Sequence, residues 1–229
     1  AENTRAAVEY VYKLYPDAIN LATTDEDGYY PIHYAIMGVE HRDNPIAAVG
    51  VVKYLLESDP NVKFQEVAGE PAPFVSVLPS NSLLHFACGQ EYNDSNIDAA
   101  LEMIKIIYDA YPDPIDHWRF VADIRRYHQQ IQTFINSQRV YARQAKDHRL
   151  MTAPDDNGQL PVHKALHNNV TLGSIKLLVR GNPPAVQSPD NNGALPLHIA
   201  CQHHESPSVI KYLVGLDATT LDAVDQEGN

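Results

Sequence analysis

Apolar side chains fall along this chain in two kinds of short block. The first kind is Pro31-Ile-His-Tyr-Ala35, Pro161-Val-His-Lys-Ala165 and Pro196-Leu-His-Ile-Ala200, with a weaker copy at Ser82-Leu-Leu-His-Phe-Ala-Cys88. The second kind is Val51-Val-Lys-Tyr-Leu-Leu56, Met103-Ile-Lys-Ile-Ile107, Ile175-Lys-Leu-Leu-Val179 and Val209-Ile-Lys-Tyr-Leu-Val214. A further block, Val8-Glu-Tyr-Val-Tyr-Lys-Leu14, opens the chain without a first-kind partner. Short amphipathic blocks in pairs, separated by Gly, Pro, Asn and Asp, predict pairs of short helices joined by turns.

The turns recur as well. Gly28, Gly158, Gly193 and Gly228 each follow an aspartate by three positions, and the last three glycines stand 35 residues apart. A fixed period with paired helices is the mark of a solenoid, in which each unit buries its apolar face on its neighbours. Asp155-Asp-Asn-Gly and Asp190-Asn-Asn-Gly look like the start of a calcium loop. Such a loop needs a carboxylate at its twelfth position, where these stretches have Leu166 and Cys201. The Asp-led stretches are therefore turns closing on a glycine of positive φ.

On these residues the chain resembles the ankyrin repeat family. The resemblance is most specific at 155–229, good at 6–37 and degenerate at 81–110. It implies an all-α ankyrin-repeat solenoid of stacked helix-turn-helix units, one domain over 1–229 with about four to five repeats. It also implies that His33, His85, His163 and His198 brace adjacent turns and helices, with Gly28, Gly158 and Gly193 closing the turns. Where the family has a capping Thr, this chain has Tyr30, Leu160 and Leu195, and Ser82 in the weak copy. Loss of the side-chain cap predicts weaker helix starts, partly offset by packing of the new apolar residue, while Pro31, Pro161 and Pro196 suit the first helical position.

The rhythm fails in two places. His33 and His85 are 52 residues apart, and His85 and His163 are 78 apart, against 35 for His163 and His198. Short insertions are expected near 39–47 and 91–97, and a proline-rich loop within 61–80. The largest insertion is expected at about 115–151. There Val121, Ile124, Tyr127, Ile131, Phe134, Ile135, Tyr141 and Ala142 form a helical stripe. This predicts one long inserted helix, or two broken near 136–137, protruding beside the repeat groove, either with its stripe packed on the neighbouring repeats or as a partner-binding arm.

Charge makes that stretch distinctive. The chain carries a formal charge of -12, yet residues 115–151 hold seven Lys and Arg against three Asp. An acidic protein as a whole disfavours phosphate backbones, so nucleic acid is not the expected partner, but Arg125 and Arg126 on this basic stretch are candidate contacts to an acidic protein or, as the alternative, to nucleic acid. No apolar run is long enough for a membrane helix. Cys88 and Cys201 are too few for a disulfide framework, which suits an intracellular site, cytoplasmic or nuclear.

Catalytic signatures are missing: there is no nucleophile elbow, phosphate loop, zinc-protease helix or dinucleotide fingerprint. Zinc on His198, Cys201 and His204 would lack a fourth ligand, so neither a metal nor another cofactor is expected. The expected function is a scaffold or adaptor that binds an as yet unidentified protein on its concave face. The alternative is a targeting or regulatory segment of a larger enzyme. Family geometry nominates Tyr29, Tyr34, Met37, Phe86, Gln159, Lys164, His167, Ile199, Gln202 and His203 for the partner surface. The chain is read as a monomeric fragment of a longer array, able to dimerise through an uncovered last repeat.

Overall fold

A computed structural model describes residues 2–24, 28–41, 44–65, 82–117, 122–203 and 206–226, and these form helices and turns with no strand. Their contacts cluster into two compact units, Ala1–Ile135 and Asn136–Asn229.

In the first unit, α1 (Glu2–Leu14) lies against α3 (Pro45–Ser58), with α2 (Pro31–His41) packed on the same helix. Tyr12 and Tyr54 meet edge to face with centroids 6.0 Å apart, and the Tyr12 hydroxyl donates to the Ser58 carbonyl at 3.3 Å. Asn44 starts α3 by accepting the Ala47 N–H at 3.2 Å, with Pro45 at the first helical position. The short α4 (Leu83–Cys88) is capped by Ser82, whose hydroxyl accepts the His85 N–H at 3.3 Å. It pairs with α5 (Ile97–Ala110), which buries Met103, Ile104, Ile107 and Tyr108.

α6 (Gln129–Gln144) crosses the boundary between the units as one helix. Ile131, Phe134 and Ile135 are buried in the first unit, where Phe134 meets Tyr108 edge to face at 5.8 Å. In the second unit Gln138 and Ala142 are buried, and Gln138 Oε1 accepts from the hydroxyls of Thr171 at 2.9 Å and Ser174 at 2.7 Å.

The second unit continues with α7 (His148–Thr152), α8 (Pro161–His167), α9 (Leu172–Gly181), α10 (Pro196–His203) and α11 (Pro207–Leu216). Met151, Leu160, Val162, Leu166, Ile175, Leu178, Leu197 and Leu213 belong to one apolar cluster. The ends of α6 and α9 are in close contact: a Cβ on Gly181 would lie 2.6 Å from the Ala145 carbonyl oxygen. Asn182 donates to the Met151 carbonyl at 2.7 Å.

Of the two readings of this stretch, these contacts fit a stripe packed on neighbouring helices and not a projecting arm. The stretch is also shorter as a helix than its stripe predicts: Ile124 lies in a 3-10 turn, Ile124–Arg126, and Tyr127 follows that turn. Val121 lies outside the described residues. No break occurs at 136–137. The single helix is followed by a short helical turn and an Asp-led turn, the order that also follows α9. The proline-rich loop expected within 61–80 lies mostly outside the described residues, which there show the 3-10 turn Pro60–Phe64.

Candidate functional site

The second unit shows how the repeat motif is used. Asp155 Oδ1 accepts the N–H groups of Asn157 at 3.0 Å and Gln159 at 2.8 Å. Asp190 Oδ1 accepts those of Asn192 and Ala194, both at 2.9 Å. Each turn closes on glycine at positive φ, +74° at Gly158 and +77° at Gly193, a region that disfavours side chains with a Cβ. Successive turns are stitched by their backbones: Asn191 N–H to Asn157 C=O at 3.0 Å, and Gln226 N–H to Asn192 C=O at 3.1 Å. A Cβ on Gly158 would meet the Asn191 backbone nitrogen at 2.8 Å.

The motif histidines bond the N–H of the residue that precedes each helix. His163 Nδ1 accepts the Leu160 N–H at 3.1 Å, His198 Nδ1 that of Leu195 at 3.0 Å, and His33 Nδ1 that of Tyr30 at 3.1 Å. With Nδ1 accepting, the proton sits on Nε2, which donates to Ser188 C=O from His163 and to Ala223 C=O from His198, both at 3.0 Å. Burial holds His163 below the usual imidazole range and His33 down to about 4, so both stay neutral at physiological pH. His198 has thus committed both ring nitrogens to backbone, and neither offers a lone pair to zinc. Cys201 is exposed and His204 lies outside the described residues. Among the described residues no three His, Cys, Asp or Glu side chains converge on a metal position.

His85 departs from this pattern. Its Nε2 meets Asp123 Oδ2 at 3.2 Å instead of a carbonyl, and the other Asp123 oxygen lies 3.6 Å from Arg126 Nη1. Sequence reasoning missed Asp123, because it lies outside the repeat rhythm and its role depends on packing 38 residues from His85. Cys88, on the same helix as His85, is fully buried, and burial pushes its thiol far above the usual range, so it is no nucleophile.

The nominated surface residues gather in two patches, one in each unit. In the first unit Tyr29 meets Tyr34 at 5.7 Å and Phe86 at 5.8 Å, while Phe86 meets His33 edge to face at 4.9 Å. Tyr34 is 46% exposed, and Tyr29, Met37 and Phe86 are half-buried. Arg125 and Arg126 are exposed at the 3-10 turn after Asp123.

In the second unit Gln159 contacts His167 Nε2 at 3.1 Å, and the rings of His167 and His203 lie 4.7 Å apart. Partial burial, and then the neighbouring His203, hold His167 below the usual imidazole range. Lys164 pairs with Asp155 at 2.9 Å. Gln202 is exposed beside a cleft of about 420 Å³ that also holds His198, Cys201 and Leu221.

One nominated residue is misplaced. Ile199 is 3% exposed and belongs to the apolar cluster of the second unit, so it cannot contact a partner. Its helical position matches that of Tyr34 and Lys164, both exposed. A lysine must keep its ammonium hydrated, whereas an isoleucine is driven inward wherever neighbours can cover it.

Comparison with known protein families gives two matches: residues 127–223 match ankyrin repeats in three copies, and residues 27–64 match an ankyrin repeat. Together they span more than half of the chain. The first begins just ahead of α6, inside the stretch read from sequence as an insertion. No curated protein and no solved structure matches.

Proposed function

Because the chain belongs to the ankyrin repeat family, whose repeats generally mediate protein–protein interaction, we propose that it is a scaffold or adaptor. It binds one partner protein through the turn tips and first helices, and it has no catalytic activity of its own. The observation that carries this reading is a division of labour, clearest in the second unit. There His163 and His198 bond backbone groups through both ring nitrogens, and Asp155 and Asp190 accept backbone N–H groups, while Gln159, His167 and His203 cluster beside them. In the first unit Tyr29, Tyr34 and Phe86 cluster beside His33.

Aromatic anchors of this kind carry a large share of binding energy in interfaces. No helix among the described residues is long and apolar enough to cross a membrane. We place the protein inside the cell, as a monomer, on the strength of its two free cysteines and its acidic charge.

We also read α6 as the second helix of a repeat of its own. It is followed by α7 as α9 is followed by the 3-10 turn Pro183–Gln187, and α7 and that turn each begin 13 residues before a helix-starting proline.

The test is affinity capture from native extract with the full chain and three surface variants: Tyr34→Leu, His167→Ala with His203→Ala, and Arg125→Glu with Arg126→Glu. A partner retained by the intact chain and lost in at least one variant that keeps its circular dichroism is expected. Capture unchanged by all three would overturn the assignment of these surfaces. Excising 115–151 is no substitute, because it removes the buried Ile131, Phe134, Ile135 and Met151.

A further inference from the structure

The Tyr29–Tyr34–Phe86 patch has a chemistry that narrows the partner, an inference that rests on the scaffold reading above. Tyr34 meets Tyr29 edge to face at 82°. Tyr34 is 46% exposed, so part of it stays open to water. Phe86 stands edge to face with His33 at 84° and tilted against Tyr29 at 56°.

The faces of these rings are regions of negative potential. The imidazole among them does not offset that, because His33 is fully buried and neutral. The chain as a whole adds to the negative field: residues 1–110 hold 17 Asp and Glu against six Lys and Arg.

Aromatic faces set in an acidic field fit a cation on a flexible stem. Guanidinium and ammonium groups are attracted to ring faces, and acidic surroundings concentrate them at the surface. We propose that the Tyr29–Tyr34–Phe86 patch docks an arginine- or lysine-bearing segment of a partner protein, with the cation seated on the ring of the exposed Tyr34. The long-range acidic field brings the segment in, and the ring face fixes where one of its side chains comes to rest.

The probe is a fluorescein-labelled peptide of alternating arginine and glycine, with a glutamate–glycine peptide of the same length as control. Both are titrated with the full chain by fluorescence anisotropy at low salt. The arginine peptide is expected to bind and the glutamate peptide not to bind. Tyr34→Leu, which keeps an apolar side chain but removes the ring, is expected to weaken the arginine peptide by about 2- to 5-fold, the range for an exposed cation–π contact. Tyr34→Phe, which keeps the ring, is expected to stay within about 2-fold.

No binding of the arginine peptide overturns the proposal. So does binding that Tyr34→Leu leaves unchanged, since the attraction would then be charge alone. Capture from extract separates the two readings. If Tyr34→Leu abolishes capture of a protein while the arginine peptide fails, the scaffold reading stands and the basic-partner inference falls.

Discussion

At the scale of single residues, the motif histidine is the most informative side chain. It accepts the N–H of the residue three before it, which is the group a capping threonine would leave to other partners. The arrangement requires a neutral ring, and it has a consequence for pH. His33 has a folded-state value of about 4 against an ordinary 6.5. The unfolded chain therefore takes up a proton at a pH where the folded chain does not. The stability that neutral His33 contributes is fully present above about pH 6.5 and is lost as pH falls toward about 4. The thermal midpoint of the protein should drop across that window, and His33→Gln should show a shallower drop. Parallel thermal melts of both proteins check this; identical slopes would mean that His33 is not held neutral by the fold. His33 was legible as a repeat histidine from its place in Pro-Ile-His-Tyr-Ala. Asp123 was not legible, because nothing local marks an aspartate that packs against a ring 38 positions earlier.

At the scale of elements, α6 is where reading and structure part. Its stripe of Ile131, Phe134 and Ile135 was visible in the sequence, and the helix exists. Whether that stripe faced a neighbour or solvent was not visible, because periodicity gives the apolar face and not what covers it. The side chains themselves separate the cases: Ile131 and Ile135 are fully buried, while Val140 is 60% exposed. Ile131→Ala should cost about 2–5 kcal/mol of unfolding free energy, the range for an aliphatic side chain truncated in a core. Val140→Ala should stay within about 0.5 kcal/mol, as exposed substitutions do. Chemical denaturation of the two variants measures both. An arm that merely projects would give two small effects. The same limit explains Ile199, whose helical position was assigned correctly but whose burial depended on its neighbours.

At the scale of the molecule, charge is the dominant property. A formal charge of -12 disfavours polyanions for the protein as a whole, with the seven basic residues of 115–151 as the local counterweight. A fluorescent DNA duplex titrated with the protein at low salt should show no rise in anisotropy. A salt-sensitive rise removed by Arg125→Glu with Arg126→Glu would instead identify that stretch as a nucleic-acid contact.

What the sequence determined by itself is whatever depends on neighbours a few positions away. The period of the turns, the glycines at positive φ, the proline at each helix start and the amphipathic blocks are all of this kind, and together they specify the ankyrin repeat. Tertiary structure alone decided which side chains meet across distances of 30 residues or more, such as Gln138 with Ser174 and His85 with Asp123. It also decided which of two chemically plausible faces is covered, as at α6 and Ile199. The physical reason is that hydrogen bonds within a turn are set by local backbone geometry. Burial is set by whatever the folded chain brings alongside.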